Sequence, residues 1–558
     1  MIIDARDIQK GTVLRGDVCV VGAGAAGITL ALELAKGGIN VILLEAGGQK
    51  WSPENQDLYK GTVVNPDLHA PLDRYRHRLL GGTTAVWGGR CIPFDNIDFE
   101  FREFMPHSSW PISRKDLEDF YRIAQQYCHC GNFTYLVEEA VPSAPVHMIP
   151  GFSDGEVVTS VLERFSLPTH FGKAYFKELC AAPNIQLVLN ASCLNIKVSN
   201  DGRRVSGLQM SSLSKNDFEV KGNAAVLAAG GLEVTRLLLA SNQHYKDGIG
   251  NHSGWLGRCY MSHISGNICD VKLSCDPDRV IFGYEVDPDG VYCRRRFWIS
   301  EEAQRKNRTL NFVAMLDNPP MYNPEHRDGV LSMAFFAKNI QAIRRRIPPE
   351  YSKQLAMGTT SKRIYAQHLR NVLGDIPHIL YTMPQFAYKR FMKTRIMPSL
   401  VMKSRTNTYS LHYHTEQAPN YESRVTLSDD RDTFGMPRLL VDFRILDLDV
   451  ESIYRSHQLI DQQLKKNGCG KIVFNQQDVL GHIREQVGVG GHHIGTTRMS
   501  KEESKGVVNE YCRVHGLRNL FVASSSVFPT SSQANPTLTI VAIAARIAAH
   551  LKENLQTL

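Results

Sequence analysis

The start of the chain alternates short, wholly apolar runs with a stretch that has helical spacing. Residues 18–21 and 41–44 are apolar runs of the kind that buried parallel strands require. Residues 28–36 between them are rich in alanine and leucine at helical spacing, and Gly37 and Gly38 follow. This order of strand, helix and strand predicts the beginning of an α/β fold built on a parallel sheet.

The same pattern recurs further along the chain. Residues 224–238 predict another strand that enters an Ala-Gly-Gly turn and then a helix. Residues 520–522 predict a strand near the C-terminus, and residues 537–551 predict a buried helix because apolar side chains occupy most of its faces. Asn535 and Pro536 predict the start of that helix, with asparagine as the N-cap and proline at the first helical position. Residues 426–445 predict a strand, a turn and a second strand.

The turn after the first strand carries the spacing of a dinucleotide-binding motif. Gly22 permits a tight turn, Gly24 lets the backbone approach a pyrophosphate, and Gly27 lets the helix pack on the strand. The N-terminus of the helix would face the phosphates with unpaired N–H groups. Glu45 ends the second strand, where an acid can accept hydrogen bonds from ribose hydroxyls and disfavours a 2′-phosphorylated cofactor. The motif itself does not separate NAD from FAD.

A second glycine-rich segment lies at residues 79–98. Gly81 and Gly82 precede Trp87, and Gly88 and Gly89 follow it. Backbone made of such small residues suits close approach to a flat ligand, although a plain cluster of turns has the same composition.

Length and composition describe an ordinary globular protein of more than one domain. The chain has 558 residues, of which 43% are hydrophobic and 22% charged. It has no apolar run of the length that a membrane span needs, and its polar N-terminal residues do not resemble a secretory signal. The twelve cysteines show no disulfide-like framework, which favours a reducing compartment, so we expect a cytoplasmic protein. We also expect that the protein binds no nucleic acid.

The net charge is +8, and basic residues concentrate at residues 340–405 among aromatic and apolar ones. Examples are Arg344, Arg345, Arg346, Lys389 and Arg390. Solvated helix faces are the favoured interpretation. A surface that rests on an anionic membrane or a polyanionic partner is the alternative.

Taken together, these motifs make the chain resemble the glucose–methanol–choline (GMC) family of FAD-dependent oxidoreductases. The resemblance rests on the glycine motif with Glu45, on GGTTAVWGG, on the AAGG turn, on HHIGTTRM and on SSSVFPTSSQANPTLT. It implies an α/β fold with a discontinuous, Rossmann-like FAD-binding domain at residues 1–100, 155–255 and 485–558. Residues 101–154 and 256–484 would form a substrate-binding domain of antiparallel sheet and helices, with a basic helical insertion at about 340–405.

The resemblance also implies a set of cofactor contacts and a catalytic pair. The base of the family falls on His492, and the second active-site residue falls on Asn535. Val86 replaces a histidine that carries FAD covalently in some members, so non-covalent FAD is expected. Ser524 replaces an aspartate common among relatives, which puts one cofactor contact in doubt. The expected cofactor contacts are Gly22, Gly24, Ala25, Ala26, Gly27, Glu45, Ala46, Gly81, Thr83, Trp87, Gly88, Gly89, Ala229, Gly230, Ser524, Ser525, Asn535, Pro536 and Thr537.

The implied reaction is the oxidation of an alcohol to a carbonyl, with the hydride going to flavin N5 and the proton to His492. Sugars, glycosides, aminoglycosides, cyclitols and other polyols are the expected substrates, and dehydrogenase activity is favoured over oxidase activity. The electron acceptor stays open among oxygen, a quinone and a redox protein. One alternative is an enzyme for sterols or long-chain alcohols at a membrane. Another is a flavin-bound interaction protein without catalytic activity.

Three further histidine interpretations accompany this expectation. His493 is expected to pack or hydrogen-bond, because adjacent residues of an extended segment point in opposite directions. No third metal ligand follows His492 and His493 at a recognisable spacing, so no metal site is expected. His263 stays outside the catalytic set, because Ser262 replaces the aspartate that often precedes this histidine in the family.

Overall fold

A six-stranded, all-parallel sheet is the centre of the fold. The computed structural model describes residues 1–337, 361–488 and 490–558. In spatial order the strands of this sheet are Ile2–Asp4, Ile185–Leu189, Val41–Leu44, Val18–Val21, Ala224–Leu227 and Leu520–Val522. The predicted strands at 18–21, 41–44, 224–227 and 520–522 are therefore confirmed. Val18–Val21 and Val41–Leu44 are buried throughout, because helices cover both faces of a parallel sheet.

Helices cover this sheet and bring the N- and C-terminal parts of the chain together. The helix Ala25–Lys36 follows the first glycine turn and contacts the C-terminal helix Thr537–Asn554, which also contacts Glu118–Tyr127. The C-terminal helix buries Leu538, Val541, Ile543 and other apolar side chains. Its predicted existence and burial are confirmed. A small side sheet contains Ser192–Val198, Val205–Ser211, Asp217–Lys221 and Val13–Arg15.

The other large sheet is antiparallel and lies in the central part of the chain. Its strands, in spatial order, are Gly470–Phe474, Ile264–Leu273, Thr408–Thr415, Phe312–Asp317, Phe297–Ile299 and Val157–Val158. A second core of buried side chains, including Ile264, Phe312 and Tyr413, lies at this sheet. The predicted antiparallel sheet is therefore present beside the parallel one.

Two smaller sheets connect segments that lie far apart in sequence. One contains Tyr284–Val286, Tyr292–Arg295, Leu162–Phe165 and Arg90–Cys91, and the other contains Arg424–Arg431, Pro437–Asp442 and Gly61–Val63. The predicted strand, turn and strand at 426–445 is thus confirmed. Val157–Val158 and Leu162–Phe165 fall in the segment expected to bind FAD, yet they pair with Phe297–Ile299 and Tyr292–Arg295. The expected domain boundaries stay a prediction.

The remaining helices are mostly short. The described ones are Pro53–Asp57, Asn96–Phe99, Val137–Ala140, Phe171–Ala174, Phe176–Ala181, Gly231–Ala240, Glu301–Asn307, Gly329–Ala337, Lys362–Gly374, Ile376–Ala387, Asp447–Lys466 and Val479–Gln486, with a π-helical turn at Tyr388–Met392. Within the expected basic insertion, Arg344, Arg345 and Arg346 lie outside the described residues. Among the residues that are described, no helix has the length and apolarity needed to cross a bilayer.

Candidate active site

The glycine turn at the end of Val18–Val21 has no room for side chains. Gly22 has φ +102°, and a Cβ there would lie 2.7 Å from the Ala228 carbonyl oxygen. A Cβ on Gly27 would lie 1.8 Å from the Gly22 carbonyl oxygen. The absence of a side chain at these two positions lets the neighbouring strand and the first helix turn lie close together, as the motif predicts.

Gly24 has a different environment. It is the N-cap of Ala25–Lys36, and a Cβ there would meet no atom within 4 Å. It lines a cavity of about 170 Å³. The first N–H groups of the helix therefore start beside open space, which is the arrangement that binds a phosphate group.

Glu45 lies in the same cavity at the end of Val41–Leu44. Its Oε2 accepts from the Ala23 N–H at 3.0 Å, and its Oε1 accepts from the Gly47 N–H at 2.8 Å. Burial raises the pKa of Glu45, and the N–H donors oppose that shift. A carboxylate has further lone pairs, so a carboxylate fixed in this way can still accept from ribose hydroxyls.

A second cavity of about 760 Å³ adjoins the first. Both cavities share Thr83, Ala229, Gly230 and Ser525 in their walls. The second is also lined by Ala25, Trp87, Gly88, Gly89, Asn535, Pro536 and Thr537. Together the two cavities run from Glu45 to His492.

His492 stands in the wall of the larger cavity, between two hydrogen-bond partners. Its Nδ1 lies 2.8 Å from Nδ1 of His263, and its Nε2 lies 3.3 Å from Nδ2 of Asn535. The structure therefore brings together the two residues that the sequence predicted as a catalytic pair. The roles of these two residues stay a prediction.

Arg90 holds Asn535 in one orientation. Its Nη1 donates to Oδ1 of Asn535 at 2.7 Å, and its Nε donates to Glu163 at 2.5 Å. Arg90 also donates to the backbone oxygen of Gln533 at 3.2 Å and to its side-chain oxygen at 3.2 Å. An arginine can only donate, so the oxygen of the Asn535 amide must face Arg90 and its NH₂ must face His492.

This orientation sets the proton positions on two imidazoles. Nδ2 of Asn535 donates, so Nε2 of His492 accepts and Nδ1 of His492 carries the hydrogen. That hydrogen is donated to Nδ1 of His263, and Nε2 of His263 donates to the Ser531 carbonyl oxygen at 3.1 Å. Every bond in the chain is satisfied. The single lone pair of His492 Nε2 accepts from Asn535 at the cavity wall, so a substrate hydroxyl must displace this 3.3 Å bond to reach it.

The site disfavours protonation of its imidazoles. Burial, together with the nearby charge of Arg90, lowers the pKa of His492 to about 4. The same causes, with His492 as a further neighbour, place the pKa values of His263 and His414 well below their ordinary value. These imidazoles are therefore neutral at neutral pH, which is the state a proton acceptor requires.

Two further imidazoles lie near His492, although no sequence spacing indicated them, and the expected absence of a metal site stays a prediction. Strand pairing places His263 next to His414, and their rings stack with centroids 4.5 Å apart. One ring nitrogen each from His263, His414 and His492 lies within 4.8 Å of the others. We interpret the group as a hydrogen-bonded network, because the 2.8 Å contact is a hydrogen bond and Nδ1 of His414 donates to the Gln533 carbonyl oxygen at 2.7 Å.

His493 faces a different partner, as expected for an adjacent residue. Its Nδ1 lies 2.6 Å from the Tyr260 hydroxyl, which lies 2.7 Å from Nε2 of His69. Burial places the pKa of His493 well below its ordinary value. His493 therefore fixes the segment through a buried network on the far side from Asn535.

The N-cap of the C-terminal helix lies one residue later than predicted. Pro536 is its N-cap, Thr537 is the first helical residue, and no side chain caps the first turn. The predicted capping role of Asn535 is wrong, because its amide is held between Arg90 and His492. The uncapped N-terminus faces the larger cavity and favours negative charge there.

Most residues expected to contact the cofactor line one of the two cavities. Gly22, Gly24, Ala26, Glu45, Ala46 and Ser524 line the smaller cavity. Gly27 and Gly81 do not line either cavity. Gly27 packs against the strand, and Gly81 has φ +93° with its Cβ position 2.4 Å from the Gly172 nitrogen. The absence of a side chain at Gly27 and Gly81 therefore lets the backbone around the two cavities pack closely. A direct cofactor contact by any of the expected residues stays a prediction.

Arg90, Glu163 and His414 were missed from the sequence. Arg90 directly follows Gly88 and Gly89, and a lone arginine after a glycine cluster was the available signal. No local pattern indicated Glu163 or His414, because strand pairing across distant segments brings them to the site.

Comparisons with known proteins agree with this geometry. A family model described as FAD dependent oxidoreductase matches residues 17–348, and one described as GMC oxidoreductase matches residues 419–544. The chain belongs to the GMC family of FAD-dependent oxidoreductases. Its cofactor is FAD, which fits the open space at Gly24, the uncapped helix N-termini and the fixed carboxylate of Glu45.

Relatives of the GMC family match nearly the whole chain. Paromamine 6′-oxidase from Streptomyces fradiae is 22% identical over 95% of this chain and 90% of its own length. Fructose dehydrogenase large subunit from Gluconobacter japonicus is 22% identical over 97% of this chain and 98% of its own. A crystal structure of formate oxidase has 17% identity and a TM-score of 0.52, covering 98% of this chain and 99% of that one. This last likeness shows the shared fold.

The two glycines of the motif predict different outcomes for the addition of a side chain. Gly24→Val fills open space at the N-terminus of the helix, so the apoprotein should fold while its FAD content after purification falls at least about tenfold. Gly27→Ala inserts a methyl group against the Gly22 carbonyl, so it should lower the melting temperature of the apoprotein itself. FAD absorbance and thermal unfolding of stripped protein measure the two effects. Normal FAD content in Gly24→Val would contradict phosphate binding at this turn.

Proposed function

We propose that the protein oxidises a hydroxyl group of a sugar, glycoside, aminoglycoside, cyclitol or other polyol to a carbonyl, using non-covalent FAD. The observation that carries the proposal is the pairing of His492 Nε2 with Asn535 Nδ2 in the wall of the larger cavity. An unprotonated acceptor beside an amide donor is the arrangement needed to deprotonate an alcohol and hold its oxygen. Anaerobic flavin reduction across sugars, aminoglycosides, cyclitols and fatty alcohols tests it, and bleaching by no alcohol would contradict it.

The proton of the substrate hydroxyl goes to Nε2 of His492. Bound FAD supplies a hydride acceptor at N5 of its isoalloxazine ring. When Nε2 takes the proton, His492 becomes a cation whose Nδ1–H is already directed at Nδ1 of His263. The second N–H of Asn535 is available for the substrate oxygen, because Arg90 occupies the amide oxygen. His263 acts through His492 and is a positioning residue.

The non-covalent attachment of FAD is supported by the residue before Trp87. Val86 lies in the wall of the larger cavity, and its side chain has no nucleophilic atom. Gly22, Gly24 and Glu45 would hold the adenosine diphosphate part, and Thr83, Ala229, Gly230 and Ser525 would lie along the path between the two cavities. Precipitation with acid should release the yellow chromophore into the supernatant.

A polyol substrate is supported by the side chains around His492. Ser262, Ser265, His412 and His414 line the larger cavity with hydroxyl and imidazole groups. Such a wall matches a ligand with several hydroxyls, because hydroxyl and imidazole groups can donate hydrogen bonds to them and accept hydrogen bonds from them. Among the relatives, the names paromamine 6′-oxidase and fructose dehydrogenase large subunit denote action on sugar-type molecules.

Dehydrogenase activity forms part of the proposal, with a quinone or a redox protein as the electron acceptor. Its support is the match to fructose dehydrogenase large subunit over 97% of this chain. Parallel measurement of oxygen consumption and of dye reduction with one reducing sugar distinguishes the two types of enzyme. Oxygen consumption at the rate of dye reduction would reclassify the protein as an oxidase.

Removal of the His492 imidazole should slow proton transfer without loss of the cofactor. His492→Ala should keep its FAD and reduce the rate of anaerobic flavin reduction by at least about 10², the typical contribution of a positioned base. Stopped-flow absorbance measures the rate. His252→Ala is the matched control, because His252 is exposed and pairs with Glu503 away from the cavities. A rate near that of the control would remove His492 from the proposed role.

The lowered pKa of His492 predicts how the rate constant for flavin reduction depends on pH on the acid side. The imidazole stays neutral down to about pH 5 because burial and Arg90 hold its pKa at about 4. The rate constant for flavin reduction should therefore be level from pH 7 to about pH 5 and fall only below that, as the base becomes protonated. A stopped-flow pH series measures this dependence. A midpoint near the unperturbed histidine value of about 6.5 would contradict the buried, neutral state.

Arg90 predicts a loss of rate even for a substitution that keeps the charge. Lysine has a single ammonium group and cannot serve Glu163, Gln533 and Asn535 together, so Arg90→Lys should free the Asn535 amide to rotate. We expect a reduction in kcat of at least about tenfold with FAD content unchanged. Arg444→Lys is the control, because Arg444 is exposed and pairs with Asp442. Unchanged kcat would show that Arg90 has no part in orienting Asn535.

A further inference from the structure

The helices between residues 361 and 395 of the expected basic insertion carry apolar side chains that the rest of the described chain leaves uncovered. The helix Ile376–Ala387 buries none of its residues and contains no charged side chain across its 12 positions. Leu380 is 68% exposed and Phe391, in the following turn, is 77% exposed. Exposed apolar residues occur singly on most protein surfaces, whereas a group of them marks an interaction site.

The inner face of the helix Ile376–Ala387 already packs against other apolar side chains of the protein. Ile379 and Met383 lie four residues apart and pack against the small core that contains Val330, Leu331 and Met402. Leu380 and Tyr381 lie on the outer side and are exposed. A helix that is apolar on both sides belongs in an apolar environment on both sides, and the described chain supplies only one.

The apolar group continues at both ends of this helix. Leu369 and Leu373, four residues apart in Lys362–Gly374, are exposed, as are Tyr388, Phe391 and Met392 in the π-helical turn. We call this set the apolar ridge: Leu369, Leu373, Ile376, Leu380, Tyr381, Tyr388, Phe391 and Met392.

Residues 361–395, which carry the apolar ridge, have a large excess of positive charge. Residues 361–395 contain seven basic residues, namely Lys362, Arg363, Arg370, Lys389, Arg390, Lys393 and Arg395, and one acidic residue, Asp375. Asp375 accepts from Arg405 at 2.7 and 2.8 Å, so that its charge is already balanced. The ridge is therefore flanked by cations, three of which, Lys389, Arg390 and Lys393, lie within three residues of Phe391.

We propose that the apolar ridge docks the protein on an anionic lipid bilayer, with the ridge in the boundary between head groups and acyl chains. Leucine, phenylalanine and methionine would enter that boundary, while lysine and arginine would meet the anionic head groups. The excess of cations favours such a surface over a second copy of this chain, which would bring the same charges together. None of the described residues 361–395 lines either cavity, so the docking does not depend on the proposed reaction.

The surface also has a route to the candidate active site. Arg395, at the end of the segment, donates to the backbone oxygen of His129 at 3.0 Å, and Nδ1 of His129 lies 2.9 Å from the Thr169 hydroxyl. The Trp87 indole donates to the Thr169 carbonyl at 3.0 Å. The docked face and the Trp87 wall of the larger cavity are thus joined through three hydrogen bonds, by way of His129 and Thr169.

Co-sedimentation of the holoenzyme with vesicles tests the proposal. Vesicles of phosphatidylcholine with about 30% phosphatidylglycerol should bind the protein, and vesicles of phosphatidylcholine alone should bind it at least about tenfold less. Raising the salt to about 0.5 M should weaken binding to the anionic vesicles, because the ionic part is screened. Equal binding to both compositions, or no binding to either, would overturn the proposal.

Matched variants distinguish binding through the apolar ridge from nonspecific binding to vesicles. Leu380→Asp with Phe391→Asp should reduce the fraction bound to anionic vesicles at least about tenfold, and Lys389→Glu with Lys393→Glu should do the same. Leu480→Asp, which alters an exposed leucine on a helix elsewhere, should bind like the unaltered protein. All variants should keep their FAD and their turnover of a soluble substrate.

Two other occupants give distinct results. A ridge that joins two copies of the chain would give a dimer in analytical ultracentrifugation, lost in Leu380→Asp with Phe391→Asp, and no vesicle binding. A ridge that takes a protein partner would leave the holoenzyme monomeric and unbound to any vesicle. Either result would overturn lipid docking.

Discussion

The hydrogen bond from Arg90 to the amide oxygen of Asn535 determines the direction of the protons in the candidate site. Arginine has no acceptor, so this bond leaves Asn535 able to present only N–H groups to His492 and to the cavity. From there the tautomers of His492 and His263 follow in turn, ending at the Ser531 carbonyl. Glu163 balances the charge of Arg90 and holds its guanidinium in place. The site is thus ordered by one ion pair.

The burial of His492 and the charge of Arg90 act in the same direction. Both make it costly to place a positive charge on His492, which keeps the base available and makes its protonated form a short-lived, reactive acid. A carboxylate beside the histidine would have the opposite effect. In this chain a neutral imidazole, His263, takes the place next to His492, so that the proton gained from a substrate has no fixed negative charge to stabilise it.

The cofactor-binding half of the fold could be predicted from the sequence because its signals are local. The strand, the glycine turn, the helix and Glu45 lie within 28 residues of one another, between Val18 and Glu45, and each is recognisable from side-chain type and spacing. The catalytic pair came from the family resemblance and not from spacing. Glu163 and His414 could not be predicted, since strand pairings between distant segments bring them to Arg90 and single-sequence patterns carry no register. The capping role assigned to Asn535 failed because a tertiary hydrogen bond from Arg90 took its side chain away from the helix.

The order of the strands in the parallel sheet has a consequence for biosynthesis. Leu520–Val522 forms the edge of the sheet beside Ala224–Leu227, and the helix that follows covers Ala25–Lys36. A chain still attached to the ribosome therefore lacks an edge strand and a covering helix until residues 520–554 have emerged. Until then, the exposed edge of Ala224–Leu227 is open to pairing with other chains. A truncation that removes Leu520–Val522 and Thr537–Asn554 would leave the edge of Ala224–Leu227 exposed permanently, even if the first glycine turn and Glu45 kept their structure.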